Sequence, residues 1–329
     1  MKTLCISALL AITSVTMGAQ AVSSAEFYTS QSYTYGRFEA RIRFAPGDGV
    51  VSSFFLWKNG SETAGTFWNE LDFEKLGADC HLQTNAIYGN PSAGHTGTPA
   101  LTANLCDEFH TYGYEWTPDY IAWQVDGVEI RRETGDTALA FAQNATAGMQ
   151  FRFNVWPGDA SFGGNFDPSI LPVYEYVNWA QFSSYSNGSF SPSWRQDFST
   201  GAIPSGWLSG NWSSPKNLST HSPQNVGFGN GNLILALTAD GALGTAGAVA
   251  VDPNDASGTG GAGNTSDAGA GQSTGGTSAA TSSSANTTGD DGCGCRVPQR
   301  SSTGTSALAW VGLLAGAALR YRRRHSPRS

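Results

Sequence analysis

An all-β sandwich is the fold class this sequence predicts, and three observations carry it. Aromatic residues make up 12% of the 329-residue chain while charged residues make up only 13%, about half the usual share. Glycine occurs 41 times, so positions for tight turns are plentiful. Bulky and polar residues alternate over short stretches, and no long amphipathic helix is evident. Such a chain suits an antiparallel sandwich.

The strands follow in order. Tyr35 to Phe44 alternates bulky and polar side chains, as a half-buried strand does. Phe109 to Trp116, Tyr120 to Val125 and Gln150 to Trp156 read as further strands. Asp126-Gly127, between Val125 and Val128, has the residues of a two-residue hairpin turn. Trp116, Trp123 and Trp207 are expected in the core.

Four zones divide the chain. Residues 1–21 read as a secretory signal: Lys2, an apolar run from Leu4 to Ile12, then Ala19-Gln20-Ala21 as a small-residue cleavage site. Residues 22–239 form the globular part. Residues 240–291 are dominated by Gly, Ser, Thr, Ala and Asn. With so few large apolar residues they read as a flexible linker. Residues 292–329 hold Cys293-Gly294-Cys295, an apolar run from Ala307 to Leu319, and the arginines 320, 322, 323 and 324. The run is short for a membrane span, although flanking small residues and snorkelling arginines extend it. Arginines after the span suit a cytoplasmic end. In an exported chain Cys80 and Cys106 can pair; two separate buried thiols are the alternative.

Charge narrows the partners. The formal net charge is −8, and −14 once Lys2 and the five arginines of the last ten residues are set aside. Such a body repels phosphate backbones, which argues against nucleic acid and is compatible with a neutral polysaccharide.

The chemistry concentrates in Trp68-Asn69-Glu70-Leu71-Asp72-Phe73-Glu74. On a strand, Glu70, Asp72 and Glu74 share one face while Leu71 and Phe73 point to the other. Three neighbouring acids repel one another, so a purely structural role is costly. A solvated acidic strand or a calcium-binding edge would have the same spacing. Glycoside hydrolysis gives the cost a purpose. Four strand residues span roughly 13 Å between Cα atoms, and two glutamates reaching toward each other close much of that gap. Retaining glycosidases hold their two carboxyl groups about 5–5.5 Å apart.

Glu70-Leu71-Asp72-Phe73-Glu74 resembles the Glu-x-Asp-x-Glu signature of glycoside hydrolase family 16. Four further stretches extend the resemblance over nearly the whole globular part: Tyr33 to Arg41, Val51 to Leu56, Phe109 to Trp116 and Trp123 to Gly127. It implies a β-jelly-roll sandwich with a concave cleft, Glu70 as nucleophile, Asp72 as its assistant and Glu74 as acid/base. No extra residue separates Asp72 from Glu74, which resembles the lichenases and the xyloglucan transferases more than the 1,3-glucanases. The segments from Trp194 to Phe198 and from Asn225 to Thr238 resemble the part that normally opens the family fold. Here they follow Val177-Asn178-Trp179, so the order resembles that of the circularly permuted lichenases of rumen Fibrobacter type. The tail resembles myxobacterial sorting tails.

Alternation puts Arg152, Asn154 and Trp156 on one face and Gln83 and Asn85 on another, each mixing groups that suit sugars. By the resemblance Phe55, Trp57, Asn59, Glu62, Trp179 and Trp212 join them as substrate-binding candidates. The expected activity is hydrolysis of mixed-linkage β-1,3-1,4-glucan by a secreted or surface-anchored monomer. A β-1,3-glucanase, a xyloglucan-type transglycosylase and a non-catalytic glycan-binding module are the alternatives. No catalytic cofactor is expected. A structural calcium is implied by the resemblance alone, with no ligands assigned. Lys75 departs from the apolar residue usual after Glu74, and alternation points it away from the cleft.

Overall fold

A computed structural model describes residues 22–101 and 104–253. The signal segment, the linker beyond residue 253, Cys293, Cys295 and the sorting tail lie outside the described residues. Sixteen strands carry the fold: β1 (Val22–Thr29), β2 (Gly36–Arg43), β3 (Val50–Trp57), β4 (Trp68–Leu76), β5 (His81–Gly89), β6 (Ser92–Gly97), β7 (His110–Trp116), β8 (Tyr120–Val125), β9 (Val128–Thr134), β10 (Gln150–Pro157), β11 (Val173–Ser186), β12 (Ser189–Asp197), β13 (Trp207–Ser209), β14 (Thr220–His221), β15 (Val226–Gly229) and β16 (Asn232–Ala239). One α-helix, α1 (Asp136–Asn144), occurs among the described residues.

The strands form two layers joined at one side. The first runs β6-β5-β4-β3-β10-β1, with β13 added to β1. The second runs β16-β11-β2-β7-β8-β9, with β15 on β16 and β12 on β11. They meet where β1 pairs with β16, Val22 opposite Ala239 and Ser23 opposite Thr238. The expected turn is present: Asp126 and Gly127 both have positive φ, at 50° and 76°, as the tight hairpin from β8 to β9 requires.

Alternation builds the core between the layers. On β2, Gly36, Phe38, Ala40 and Ile42 are buried and the arginines and Glu39 between them are not. Phe38 meets Phe151 at 5.1 Å, and Phe54 meets Tyr114 edge-on at 5.1 Å, so rings of one layer pack against rings of the other. Trp116, Trp123 and Trp207 lie in this core, as expected. Cys80 and Cys106 form a disulfide that ties the turn after β4 to the segment before β7.

Lys75 is wholly buried on the core side of β4. Its Nζ donates to the carbonyls of Gly47 (2.8 Å) and Val50 (3.1 Å), and burial pushes its pKa down to about 8. The lysine thus ties the end of β4 to the start of β3.

The composition-based linker boundary falls too early. Residues 240–253 pack on the second layer: Ala250 is buried against Phe109 and Tyr176, Tyr174 donates its hydroxyl to the Ala246 carbonyl, and Arg41 pairs with buried Asp252. Small residues pass for linker because composition does not register a single buried ion pair. We expect Asp252→Asn to destabilise the fold by about 2–3 kcal/mol, because it leaves the mostly buried Arg41 guanidinium short of its counter-charge. A thermal melt checks it, and a chain ending at Ala239 should melt lower than one ending at Pro253.

Candidate active site

β4 lies inside the first layer, with β3 on one side and β5 on the other, so its three acids are fixed by hydrogen-bonded neighbours along their length. The core holds it from beneath. Tyr114 of β7 sets its hydroxyl between the carbonyls of Phe54 on β3 (2.6 Å) and Leu71 (3.1 Å), and the Trp123 indole of β8 donates to the Asp72 carbonyl at 3.1 Å. Both Leu71 and Phe73 are wholly buried, which turns Glu70, Asp72 and Glu74 to the opposite, concave face.

Strand register sets rows of side chains across that face, since residues directly opposite each other share a side. One row reads Asn85, Asp72, Phe55, Arg152, Tyr28 and Leu208. A second reads Gln83, Glu74, Ser53, Asn154 and Glu26. A third reads Ile87, Glu70, Trp57 and Gln150. Glu70 and Glu74 therefore flank the Asp72 row on either side. Ser53, Phe55, Asn154, Trp156 and Pro215 join the three acids around one hollow.

Crowding and burial shift all three acids upward. Burial pushes Glu70 up to about 7, although the Trp68 indole, donating to its Oε2 at 2.8 Å, and Arg152 pull it back. Burial and the Glu70 charge push Glu74 up to about 8. Asp72 is raised well above the usual range by burial and then by the charges on both glutamates. The Asp72 carboxyl beside Glu70 also favours the charged form of Glu70 and is itself raised further by it. Both glutamates therefore hold their protons to higher pH than free carboxyl groups do.

Most sequence candidates reach this face. Trp57 stands edge-on to Trp68 at 4.9 Å, and Trp156 stacks on Phe162 at 5.9 Å. Trp212 leans over Tyr28 at 5.5 Å. Asn59 and Glu62 are exposed on the loop from β3 to β4. Oδ1 of Asn85 and of Asn154 is buried and has no protein partner. Trp179 is the exception. It lies on β11 in the other layer, opposite Arg41 and Asp197, with the Arg195 guanidinium over its ring at 4.2 Å. The register of β11 slips between Val177 and Trp179, and the ring faces outward from the back of the sandwich. It does not join the cleft.

The chain matches glycosyl hydrolases family 16 over residues 7–181. A β-glucanase of Fibrobacter succinogenes is 37% identical over 249 residues, covering 72% of this chain and 70% of its own length. The chain belongs to glycosyl hydrolase family 16. Another relative, a β-glucanase of Brevibacillus brevis, is 31% identical over 181 residues, covering 54% of this chain and 67% of that protein. Among solved structures, a Bacillus licheniformis β-glucanase is 27% identical with a TM-score of 0.42, covering 50% of this chain and 78% of that one. For the calcium that the family 16 resemblance implies, the described residues hold no cluster of three or more His, Cys, Asp or Glu suited to a metal ion, and no step below involves one.

Sequence reasoning missed Glu26, Tyr28, Trp68 and Gln150 on this face. Trp68 was within reach, two residues before Glu70 and so on the same face. Glu26 and Tyr28 alternate on β1, but nothing local ties them to acids more than forty positions away.

The raised acids make a stability prediction. Glu74 binds its proton more tightly folded than unfolded, so stability falls as pH rises from its ordinary 4.5 through about 8. Glu74→Gln should therefore change the melting temperature little near pH 4. Above pH 8 it should raise stability by on the order of 2 kcal/mol, measured by melts across pH.

Proposed function

We propose that this family 16 chain is an exported, retaining endo-β-glucanase that hydrolyses mixed-linkage β-1,3-1,4-glucan. The observation that carries the reading is the shared face of Glu70, Asp72 and Glu74, with burial and mutual charge raising all three carboxyls. The name β-glucanase carried by the relatives supports the substrate class.

In this reading a glucan chain lies across the strands along the Asp72 row, with one glutamate on each flank. Ionised Glu70 attacks the anomeric carbon, and Glu74 gives its proton to the leaving glycosidic oxygen. A glycosyl ester on Glu70 results. Glu74, now a carboxylate, takes a proton from water, whose oxygen attacks the same carbon and frees Glu70. Asp72 favours the charged form of Glu70 and so stabilises the charge that returns on the second step. Trp68 fixes the Glu70 carboxyl in place.

The order of segments is part of the proposal. A circular permutation is supported by two facts: the family match ends at residue 181 while β12 to β16 still follow, and the first and last strands of the described residues lie side by side. Export by residues 1–21 and surface retention by the tail rest on the sequence alone.

Glu70→Gln should lower kcat by on the order of 10³-fold or more while the fold persists. Glu74→Ala with azide should yield a β-glycosyl azide, and undiminished hydrolysis by Glu70→Gln would refute the assignment. The kcat/KM profile should rise as Glu70 ionises and fall as Glu74 loses its proton, giving an optimum near neutral pH or slightly above. Barley β-glucan should release reducing ends faster than laminarin. The reverse order would assign a 1,3-glucanase, and sugar transfer to xyloglucan acceptors would assign a transglycosylase.

A further inference from the structure

Beside the hollow, at the β1 edge of the same face, the structure holds a buried polar chain that the mechanism above does not use. It begins at Ser219, whose Oγ donates to Ser24 Oγ at 2.7 Å. Ser24 Oγ in turn lies 2.9 Å from His221 Nδ1. On the far side of the ring, His221 Nε2 lies 3.4 Å from Glu26 Oε2. Glu26 Oε1 accepts from Arg152 at 2.6 Å, and burial pushes the Glu26 pKa up while Trp212 and Asn154 beside it favour its charged form. Arg152 is held by Gln150 Oε1 through its Nε (3.1 Å) and a terminal nitrogen (2.6 Å). Its guanidinium stacks over Tyr28 at 4.5 Å, with Trp57 and Trp212 within 6 Å.

The direction of these bonds decides the imidazole's state. The Ser24 hydroxyl already accepts from Ser219, so its own proton is available for Nδ1. A ring that accepts at Nδ1 and stays neutral carries its proton on Nε2. Burial, with Arg152 adding to it, holds the His221 pKa down to about 4, so the ring is neutral at working pH. Nε2 makes no hydrogen bond, and the Glu26 carboxyl faces it at 3.4 Å. A neutral ring packed against the carboxyl limits where Glu26 can turn without cancelling its charge, which Arg152 balances.

We propose that His221, set by Ser24 and Ser219, is a positioning residue for the Glu26–Arg152 pair, and that through this pair it governs how tightly the cleft grips a glucan chain away from the cleaved bond. The inference rests on the glucanase reading. Glu26 and Glu74 stand in one row with Ser53 and Asn154 between them, three strand spacings or about 14 Å apart. Arg152 stands in the neighbouring row, two strand spacings or about 10 Å from Asp72, and the carboxylate and guanidinium together meet sugar on that side of the cleaved bond. They offer a planar acceptor and donor pair to its hydroxyl groups, with Trp212 beside them for its ring. The lost interaction therefore belongs to uniform binding and appears in KM, not in kcat.

The test compares His221→Leu, His221→Gln and Ser24→Ala in the full chain on mixed-linkage β-glucan. His221→Leu should raise KM about five- to twentyfold with kcat within about twofold. Gln places an N–H near the Nε2 position, so His221→Gln should recover most of the loss. Ser24→Ala, which frees Nδ1 to take the proton, should raise KM in the same direction by less. In the wild type, ¹⁵N NMR of the ring should show the neutral Nε2-protonated form at neutral pH. An unchanged KM in His221→Leu, a kcat loss as large as the KM rise, or an Nδ1-protonated ring would overturn the proposal. If His221→Leu does not fold, Ser24→Ala decides it, and an unchanged KM there overturns it equally. A wild type that cleaves no glucan would instead refute the glucanase reading. Calorimetric binding of glucan oligosaccharides to wild type and His221→Gln would then carry this test, with equal weakening in Gln and Leu variants counting against it.

Discussion

Three carboxyl groups side by side on one strand are the constraint around which this molecule is built. Mutual repulsion and poor solvation would drive such a strand toward water or twist its side chains apart. β4 is held against both tendencies. It is an interior strand, paired on both edges, and two aromatic side chains of the opposite layer bond to its carbonyls from inside the core. Trp68 grips one carboxyl directly. At the far end Lys75 anchors the strand to the carbonyls of the β2–β3 connection and the start of β3. The outcome is a stable strand whose acids keep their protons to higher pH than free carboxyl groups do.

The wider concave face has a consistent chemistry. Its charges are few and paired: Arg152 with Glu26, and the acids of β4 with one another through shared protons. Between them lie amides, hydroxyls and aromatic rings, several with acceptor atoms left without protein partners. A surface of this kind binds a neutral, hydroxyl-rich chain better than a charged one, which agrees with the acidic balance of the sequence.

Much of this was legible in the sequence because alternation is a local signal. The strands around Phe38, Tyr114 and Phe153, the turn at Asp126-Gly127 and the shared face of Glu70, Asp72 and Glu74 all follow from period two and turn chemistry. The failures have physical causes of their own. Trp179 was assigned to the cleft, but a register slip in β11 and that strand's place in the other layer put it on the back. The segment after Ala239 is small and polar in composition, yet the Asp252 ion pair, buried Ala250 and backbone bonds at Gly244, Ala246 and Val249 hold it to the second layer. Glu26 and His221 lie 195 positions apart in the sequence and meet only because β14 runs parallel to β1, a pairing no local pattern announces.

The same pairing of distant segments bears on how the chain reaches its native state. β1 finds its partners in β10, β13, β14 and β16, so the first described strand joins some of the last, with Val22 opposite Ala239. Loop closure over such separations must precede the contacts that reward it. During synthesis β1 leaves the ribosome well before any of these partners exists, with its backbone edges unsatisfied and Phe27 exposed. Folding of the sandwich is therefore bound to be late and slow. Through that interval the sequence of β1 is the stretch that a chaperone would have to shield from strand-to-strand aggregation.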